Sequence, residues 1–406
     1  MELDHSYEPL AVELKVLSSN DGMRPVFDPY DPWTSSFGVI IKKGYYQGSI
    51  FGKLSAIFLG TIDWIAPHAI RILLRSTPRL YPIVVAQTIL RGSVEGTINK
   101  NDAQFLLETL KATAVDPSNN SNWAWGLGFS WMSKNGLYDP DVPFVTHTPY
   151  VMEALLQLAG HEKVKLEAMT IFNSTWDFLQ SLIVMQSSSD KLALSYAPKD
   201  EPRIVVNANS YAAFAYALHA HYGLPEIRQE SLDKTLLLVK WIVAWQNSDG
   251  SWPYYADEDP GNFIDCFHTC FVIKNLFRIR KLCPCIPLNI DDAITKGWNF
   301  LNAQFYVAEH GLCRRFLYRD IKDPYVWDLY DQAEYLGLLI DLGLIHEACR
   351  FSAGVESRFK KKGDWYCRID ILGRLWGKGF SRWGITSMKY NLSRLRKLKI
   401  NNDKSE

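Results

Sequence analysis

The chain has 406 residues, 47% apolar and 22% charged, with 14 Trp, 20 Tyr and 20 Phe. That composition buries a large core and excludes disordered and fibrous classes. Lys plus Arg and Asp plus Glu each number 44, so no overall field favours nucleic acid.

Seven cysteines, an odd number with Cys283-Pro-Cys285 as the closest pair, form neither a disulfide framework nor a usual zinc motif. A reducing, cytoplasmic setting is therefore expected. The amino terminus, MELDHSYEPLAVELK, lacks a basic then apolar leader, and no apolar run approaches the roughly 20 residues of a membrane span.

In chain order, residues 1–48 read as irregular, and 49–74 and 81–115 as helical, able to supply one further helical hairpin. From about residue 120 a loose unit recurs. A short aromatic strand is followed by a polar loop, a helix of small and apolar residues, and a longer amphipathic helix. The aromatic segments are WAWGLGFSW (123–131), LALSYAP (192–198), GSWPYYA (250–256), GLCRRFLY (311–318) and GDWYCRI (363–369). Anchoring them on Phe129, Tyr196, Tyr254, Phe316 and Tyr366 gives spacings of 67, 58, 62 and 50 residues, room for two helices and a loop.

Helices at 148–159, 209–221, 265–278, 328–341 and 382–396 read as buried, whereas 229–247 and 291–305 carry a polar face. Two concentric layers follow. The expected fold is all-α, an (α/α) toroid of five to six hairpins, forming one domain over 49–400 with a disordered tail at 401–406. The loops before the inner helices should converge on one mouth.

Asp265-x-x-His268 opens one inner helix, and residues at i and i+3 share a face, so carboxylate and imidazole can act together in proton transfer. Helix capping by Asp265 with a satisfied His268 is the competing reading. A Cys266-His268-Cys270 metal site is rejected, because on a helix the imidazole points away from both thiols. Asp328 and Asp331 open the next inner helix. Asp331-x-x-Glu334 resembles a capping box, which leaves Asp328 as the second catalytic candidate.

In WQNSDGSWPYY (245–255), alternation puts Trp252 and Tyr254 on one face, able to stack on sugar rings, and Tyr255 on the other. Trp125 and Tyr196, from earlier aromatic segments, are further substrate-facing candidates. Asn207, Asn209, Arg382 and Trp383 sit at equivalent mouths, as does Thr146-His147-Thr148; amides and a guanidinium would orient hydroxyls or a carboxylate. No phosphate-binding loop, dinucleotide fingerprint, serine-hydrolase elbow or zincin motif is present, and no cofactor is implied.

Between residues 42 and 91 seven cations face Asp63 alone, and RLRKLK (394–399) is also basic. These segments are candidates to touch anionic lipid or a membrane-bound assembly partner, with a cytoplasmic protein peripheral at the inner membrane; a solvated basic face over an acidic polymer funnel, or simple variation, is the competing reading.

The segments VFDPYDPW (26–33), VTHTPYVMEALL (145–156), WQNSDGSWPYY (245–255), FIDCFHTCFVI (263–273), PYVWDLYDQAEYLG (324–337) and GFSRWGITSM (379–388) carry a resemblance covering nearly the whole chain. The sequence resembles a bacterial family encoded with lipopolysaccharide, capsule or exopolysaccharide assembly genes. That resemblance implies a toroid like those of six-hairpin glycosidases, polysaccharide lyases and terpenoid cyclases, and a role in surface-polysaccharide biosynthesis. Relatives read Asp-x-His where this chain has Asp328-Leu329-Tyr330. The expected protein handles a glycan or lipid-linked oligosaccharide by hydrolysis, β-elimination or epimerisation. A non-catalytic glycan-binding or scaffold module is the alternative, and isoprenoid chemistry ranks third.

Overall fold

The computed structural model describes residues 24–116, 122–259, 261–286, 290–317 and 323–403. Four N-terminal helices, α1 (Asp31–Thr34), α2 (Ser36–Tyr46), α3 (Ile50–Ile65) and α4 (Pro67–Leu73), precede five helical hairpins. These are α5 (Pro82–Glu95) with α6 (Lys100–Ala112), α7 (Thr148–Leu158) with α8 (Lys165–Ser181), and α9 (Val206–Tyr222) with α10 (Pro225–Ala244). The series continues with α11 (Cys266–Leu282) and α12 (Ile290–Phe305), then α13 (Leu329–Asp341) and α14 (Ile345–Phe359), and ends at α15 (Thr386–Asp403).

The first helix of each hairpin packs on the first helix of the next, and α15 packs on both α13 and α5. Six inner helices therefore close a ring, an (α/α) toroid. Sequence explains the layers. Every residue of α9 from Val206 to His219 is buried, as a helix surrounded by neighbours must be, whereas α12 and α14 bury one stripe each. Proline in the first turn starts α5, α7 and α10, where its missing N–H costs nothing.

A buried polar knot crosses the ring. Lys274 pairs with Glu334 at 2.7 Å and donates to Tyr150 Oη at 3.0 Å; Ser387 donates to Glu334, and Tyr150 and Tyr211 share a 2.6 Å hydrogen bond. Five of the six inner helices meet in that knot.

Short antiparallel strands crown the mouth: β1 (Trp131–Ser133) with β2 (Gly136–Tyr138), β3 (Val184–Ser187) with β4 (Leu192–Leu194), and β5 (Tyr306–Val307) with β6 (Leu312–Cys313). A larger sheet joins β7 (Tyr325–Asp328), β8 (Lys360–Lys361), β9 (Asp364–Asp370) and β10 (Leu375–Lys378), and its register sets Asp328 opposite Arg368.

Four expectations change. Residues up to 48 are not uniformly irregular, because α1 and α2 occupy 31–46, α2 capped by the Ser35 side chain; residues 1–23 lie outside the described residues. Segment 250–256 is extended but forms only an isolated bridge between Tyr255 and Val205, since a strand needs a longer partner. At the other end α15 runs through residue 403, and 404–406 lie outside the described residues. The stretch 49–74 stays off the ring; its hairpin is α5 with α6, inside 81–115.

Candidate active site

The inner-helix N-termini and the crowning strands enclose a cavity of about 730 Å³ at one mouth of the ring. Its size suits an oligosaccharide-sized or drug-sized ligand. Asn207, Tyr196, Tyr254, Asp265, His268, Arg382 and Trp383, all singled out from sequence, line it.

Asp265 and His268 form a dyad. As N-cap of α11, Asp265 accepts from the His268 backbone N–H at 3.0 Å. The same carboxylate lies 2.7 Å (Oδ2) and 2.9 Å (Oδ1) from His268 Nδ1. A carboxylate at this distance accepts the Nδ1 proton, which leaves the Nε2 lone pair as a base. One side chain thus caps the helix and holds the imidazole. The imidazole ring is boxed by Phe267 at 3.9 Å and Tyr254 at 4.6 Å between ring centres. Burial pushes the Tyr254 phenol well above its ordinary range, so it stays a neutral donor.

Asp328 is placed differently from expectation. It caps α13, accepting from Tyr330 N at 2.9 Å. Its carboxylate also takes Arg315 at 2.7 Å, Arg368 at 3.0 Å and the Trp383 indole N–H at 2.7 Å. With its carboxylate oxygens engaged, Asp328 lies outside the wall of the 730 Å³ cavity and lines instead a neighbouring cavity of about 330 Å³ together with Arg315. It is a positioning residue for Arg315 and Trp383. Asp331, expected to cap its own helix, instead accepts from Phe267 N at 3.1 Å and so caps α11.

Trp383 is fixed from a second side. It stacks on Tyr330 at 4.8 Å, and the backbone beyond it turns through Gly384 at φ +85°, where a Cβ would meet Tyr330 N at 2.6 Å.

Three substrate candidates leave the site. Trp125 is fully buried, its indole N–H donating to Leu110 O at 2.9 Å. Trp252 turns inward, donating to Ile242 O at 3.0 Å, with its ring in a slot that a Cβ at Gly297 would close to 2.5 Å. Both Tyr254 and Tyr255 line the cavity, against the alternation expected. Asn209 serves the backbone, its Oδ1 accepting from Leu194 N at 2.7 Å and its Nδ2 donating to Leu194 O and Val205 O. Asn207 does line the cavity, and its buried Oδ1 has no partner among the described residues.

Sequence reasoning missed Arg315, Tyr30, Tyr330 and Phe263 in the wall. Arg315 follows β6 as the other mouth residues follow their strands, a signal that was available. His147, recognised only as a mouth residue, lines the cavity as well; burial and then the Arg382 charge hold its imidazole down at about 3, so it is neutral. Arg382 pairs with buried Asp28 at 3.0 Å. Two guanidiniums, Arg315 and Arg382, thus enter one wall, and the Nε of each is buried with no partner among the described residues. Arg315 and Arg368 share the single Asp328 carboxylate, so the wall keeps positive excess. Asp265 is the one carboxylate in that wall among the described residues.

No protein-family model and no curated protein sequence matches the chain. Solved structures do. A cellobiose 2-epimerase from Spirochaeta thermophila DSM 6192 matches with a TM-score of 0.53 at 14% identity, over 79% of this chain and 86% of its own. A sugar epimerase from a ruminal bacterium gives 0.57 at 10%, over 79% and 87%. A family 76 glycoside hydrolase from a bovine Bacteroides thetaiotaomicron strain gives 0.53 at 10%, over 78% and 68%. At such identities the likeness establishes the fold, an (α/α) toroid, and nothing about the reaction.

Proposed function

We propose that this protein is a carbohydrate-active enzyme that moves a proton on or off a sugar carbon, by epimerisation or β-elimination, with His268 as base. The carrying observation is the Asp265–His268 dyad, whose imidazole opens into a 730 Å³ aromatic cavity. Asp265 holds the proton on Nδ1; Tyr254 and neutral His147 are donors on the same cavity. Arg315 and Arg382 hold a carboxylate or phosphate of the substrate and stabilise charge developing beside it. Hydrolysis fits less well, because it requires two carboxylates about 5–10 Å apart across the bond, and Asp328 is consumed by its three partners.

The fold likeness to sugar epimerases supports this class. The sequence motifs support a glycan or lipid-linked oligosaccharide of bacterial surface-polysaccharide biosynthesis as substrate.

The test is incubation in D2O with anionic and reducing oligosaccharides, free and lipid-linked, followed by mass spectrometry. Carbon-bound deuterium or an unsaturated product is expected, lost in His268→Ala. Water oxygen entering a cleaved reducing end without carbon exchange would identify a hydrolase. Tight binding with no turnover of any kind would identify a binding module.

A further inference from the structure

The N-terminal helices are built inside out. A 16-residue amphipathic helix normally turns its apolar stripe to the core. In α3 the stripe of Ile50, Phe51, Leu54, Ile57, Phe58 and Ile65 faces outward, each side chain between 61% and 79% exposed. Of the 19 large apolar side chains exposed among the described residues, 12 fall within residues 37–73. Soluble monomers seldom expose a contiguous apolar face of this length.

The pairing of α2 with α3 needs no large side chains between them. A Cβ at Gly52 would lie 2.4 Å from Gly44 C and 2.5 Å from Tyr45 N, so the two backbones touch. Close backbone approach through small residues is how helices pair where the surroundings are themselves apolar. The hairpin is nevertheless fixed to the toroid. Arg71 pairs with Asp63 at 2.6 Å and donates to Asp28 O at 2.8 Å, while Trp64 donates to Asp370 Oδ2 at 2.9 Å. Beside that last contact, Ile371 and Leu372 at the β9–β10 turn extend the exposed apolar surface.

Charge decides what this face meets. From residue 32 to 94 Asp63 is the only acid, and it is buried against Arg71. Lys43, Lys53 and Arg75 are exposed, and no ion pair among the described residues involves them. An apolar stripe flanked by unpaired cations, with no exposed anion, complements an anionic bilayer surface. No described helix is long and apolar enough to cross a membrane, so α3, about 24 Å long, would lie in the interface.

We infer that the outward face of α2–α4 seats the protein on anionic lipid. The cavity opens beside it: Tyr46, at the end of α2, lines the cavity, and the Lys42 ammonium stands 3.3 Å above the ring of Trp131 in the same wall. A glycan carried on a lipid would reach the dyad from the surface that binds the protein. The seating itself does not depend on the reaction proposed above.

The test is flotation of the full chain with vesicles of phosphatidylcholine alone or mixed with phosphatidylglycerol. Binding is expected on the mixed vesicles, weakening with salt. Phe51→Ser with Phe58→Ser should cut partitioning at least about tenfold. Lys43→Gln and Lys53→Gln should each cost about fivefold on anionic vesicles, and the pair together should narrow the preference for anionic lipid. Leu166→Ser, on the exposed face of α8, should bind like the parent. Absence of flotation, or unchanged flotation of the double Phe variant, overturns the inference. So does a dimer that the Phe variant abolishes while vesicles remain unbound, which would assign the face to a second copy. Turnover of a water-soluble glycan is read separately, so its loss bears on the reaction and not on the seating.

Discussion

Replacing Asp265 by Asn separates the two jobs of one side chain. Asn keeps an oxygen to accept the His268 backbone N–H, now at 3.0 Å, and Asn caps helices about as well as Asp. Stability should therefore fall by less than about 1 kcal/mol. The other atom becomes an amide donor facing Nδ1, where 2.7 Å now separates a carboxylate oxygen from the ring. Two donors cannot share that contact, and the retained oxygen, 2.9 Å from Nδ1, already takes the backbone N–H, so the imidazole is driven toward the opposite tautomer with its proton on Nε2. The base is then lost. Wrong-tautomer substitutions of this kind cost about 10³–10⁴ in turnover, or about 4–5.5 kcal/mol of barrier. The assay is deuterium exchange into the glycan, paired with urea unfolding to confirm the fold. A variant that keeps exchange within about tenfold of the parent, while His268→Ala abolishes it, would refute the claim that Asp265 sets the tautomer.

Arg315→Met should raise KM for an anionic glycan about tenfold or more, the worth of a charged hydrogen bond, and leave KM for a neutral one unchanged; steady-state kinetics on the matched pair decides it. Lys274→Met leaves the Glu334 carboxylate buried without its 2.7 Å partner and should cost about 3–5 kcal/mol in urea unfolding, much of it regained on adding Glu334→Gln. His219 is fully buried against Phe172 and Trp176, and burial holds its pKa down at about 4. Its folded pKa lies below the unfolded value of about 6.5, so its contribution is complete above that pH and is lost as pH falls toward 4; unfolding at pH 7 and 4.5 should differ by about 2 kcal/mol through this group, a difference missing in His219→Asn.

The toroid was legible because its periodicities are local. Buried helices expected to start at 148, 209, 265 and 328 begin at Thr148, Val206, Cys266 and Leu329. The dyad was legible for the same reason, since i and i+3 on one helix turn fix its geometry. Asp328 was not, because its partners Arg315, Arg368 and Trp383 lie 13, 40 and 55 residues away and reach it only through the crowning sheet and the turn at Gly384. Trp252 misled because alternation holds within a strand, and the segment after Gly250 is not one; its orientation is set by the slot at Gly297 on α12. Asn207 and Asn209, two positions apart on a helix, could never face the same way.

The reaction class turns on which carboxylates remain free. Of the acids gathered at the mouth, Asp328 is shared by two guanidiniums and an indole, Asp331 is buried with its carboxyl pushed far above the ordinary range, and Asp28 answers Arg382. Each removal from the catalytic pool fixes a cation or an aromatic of the wall instead. What is left in the cavity wall among the described residues is one carboxylate locked to one imidazole, in a wall that also holds Arg315, Arg382 and Asn207. Such a set can move a proton beside a stabilised negative charge, and it cannot flank a glycosidic bond with two acids. On the reading proposed above, the assignment of the carboxylates favours carbon-acid chemistry over hydrolysis, in a fold whose solved examples include sugar epimerases and a glycoside hydrolase.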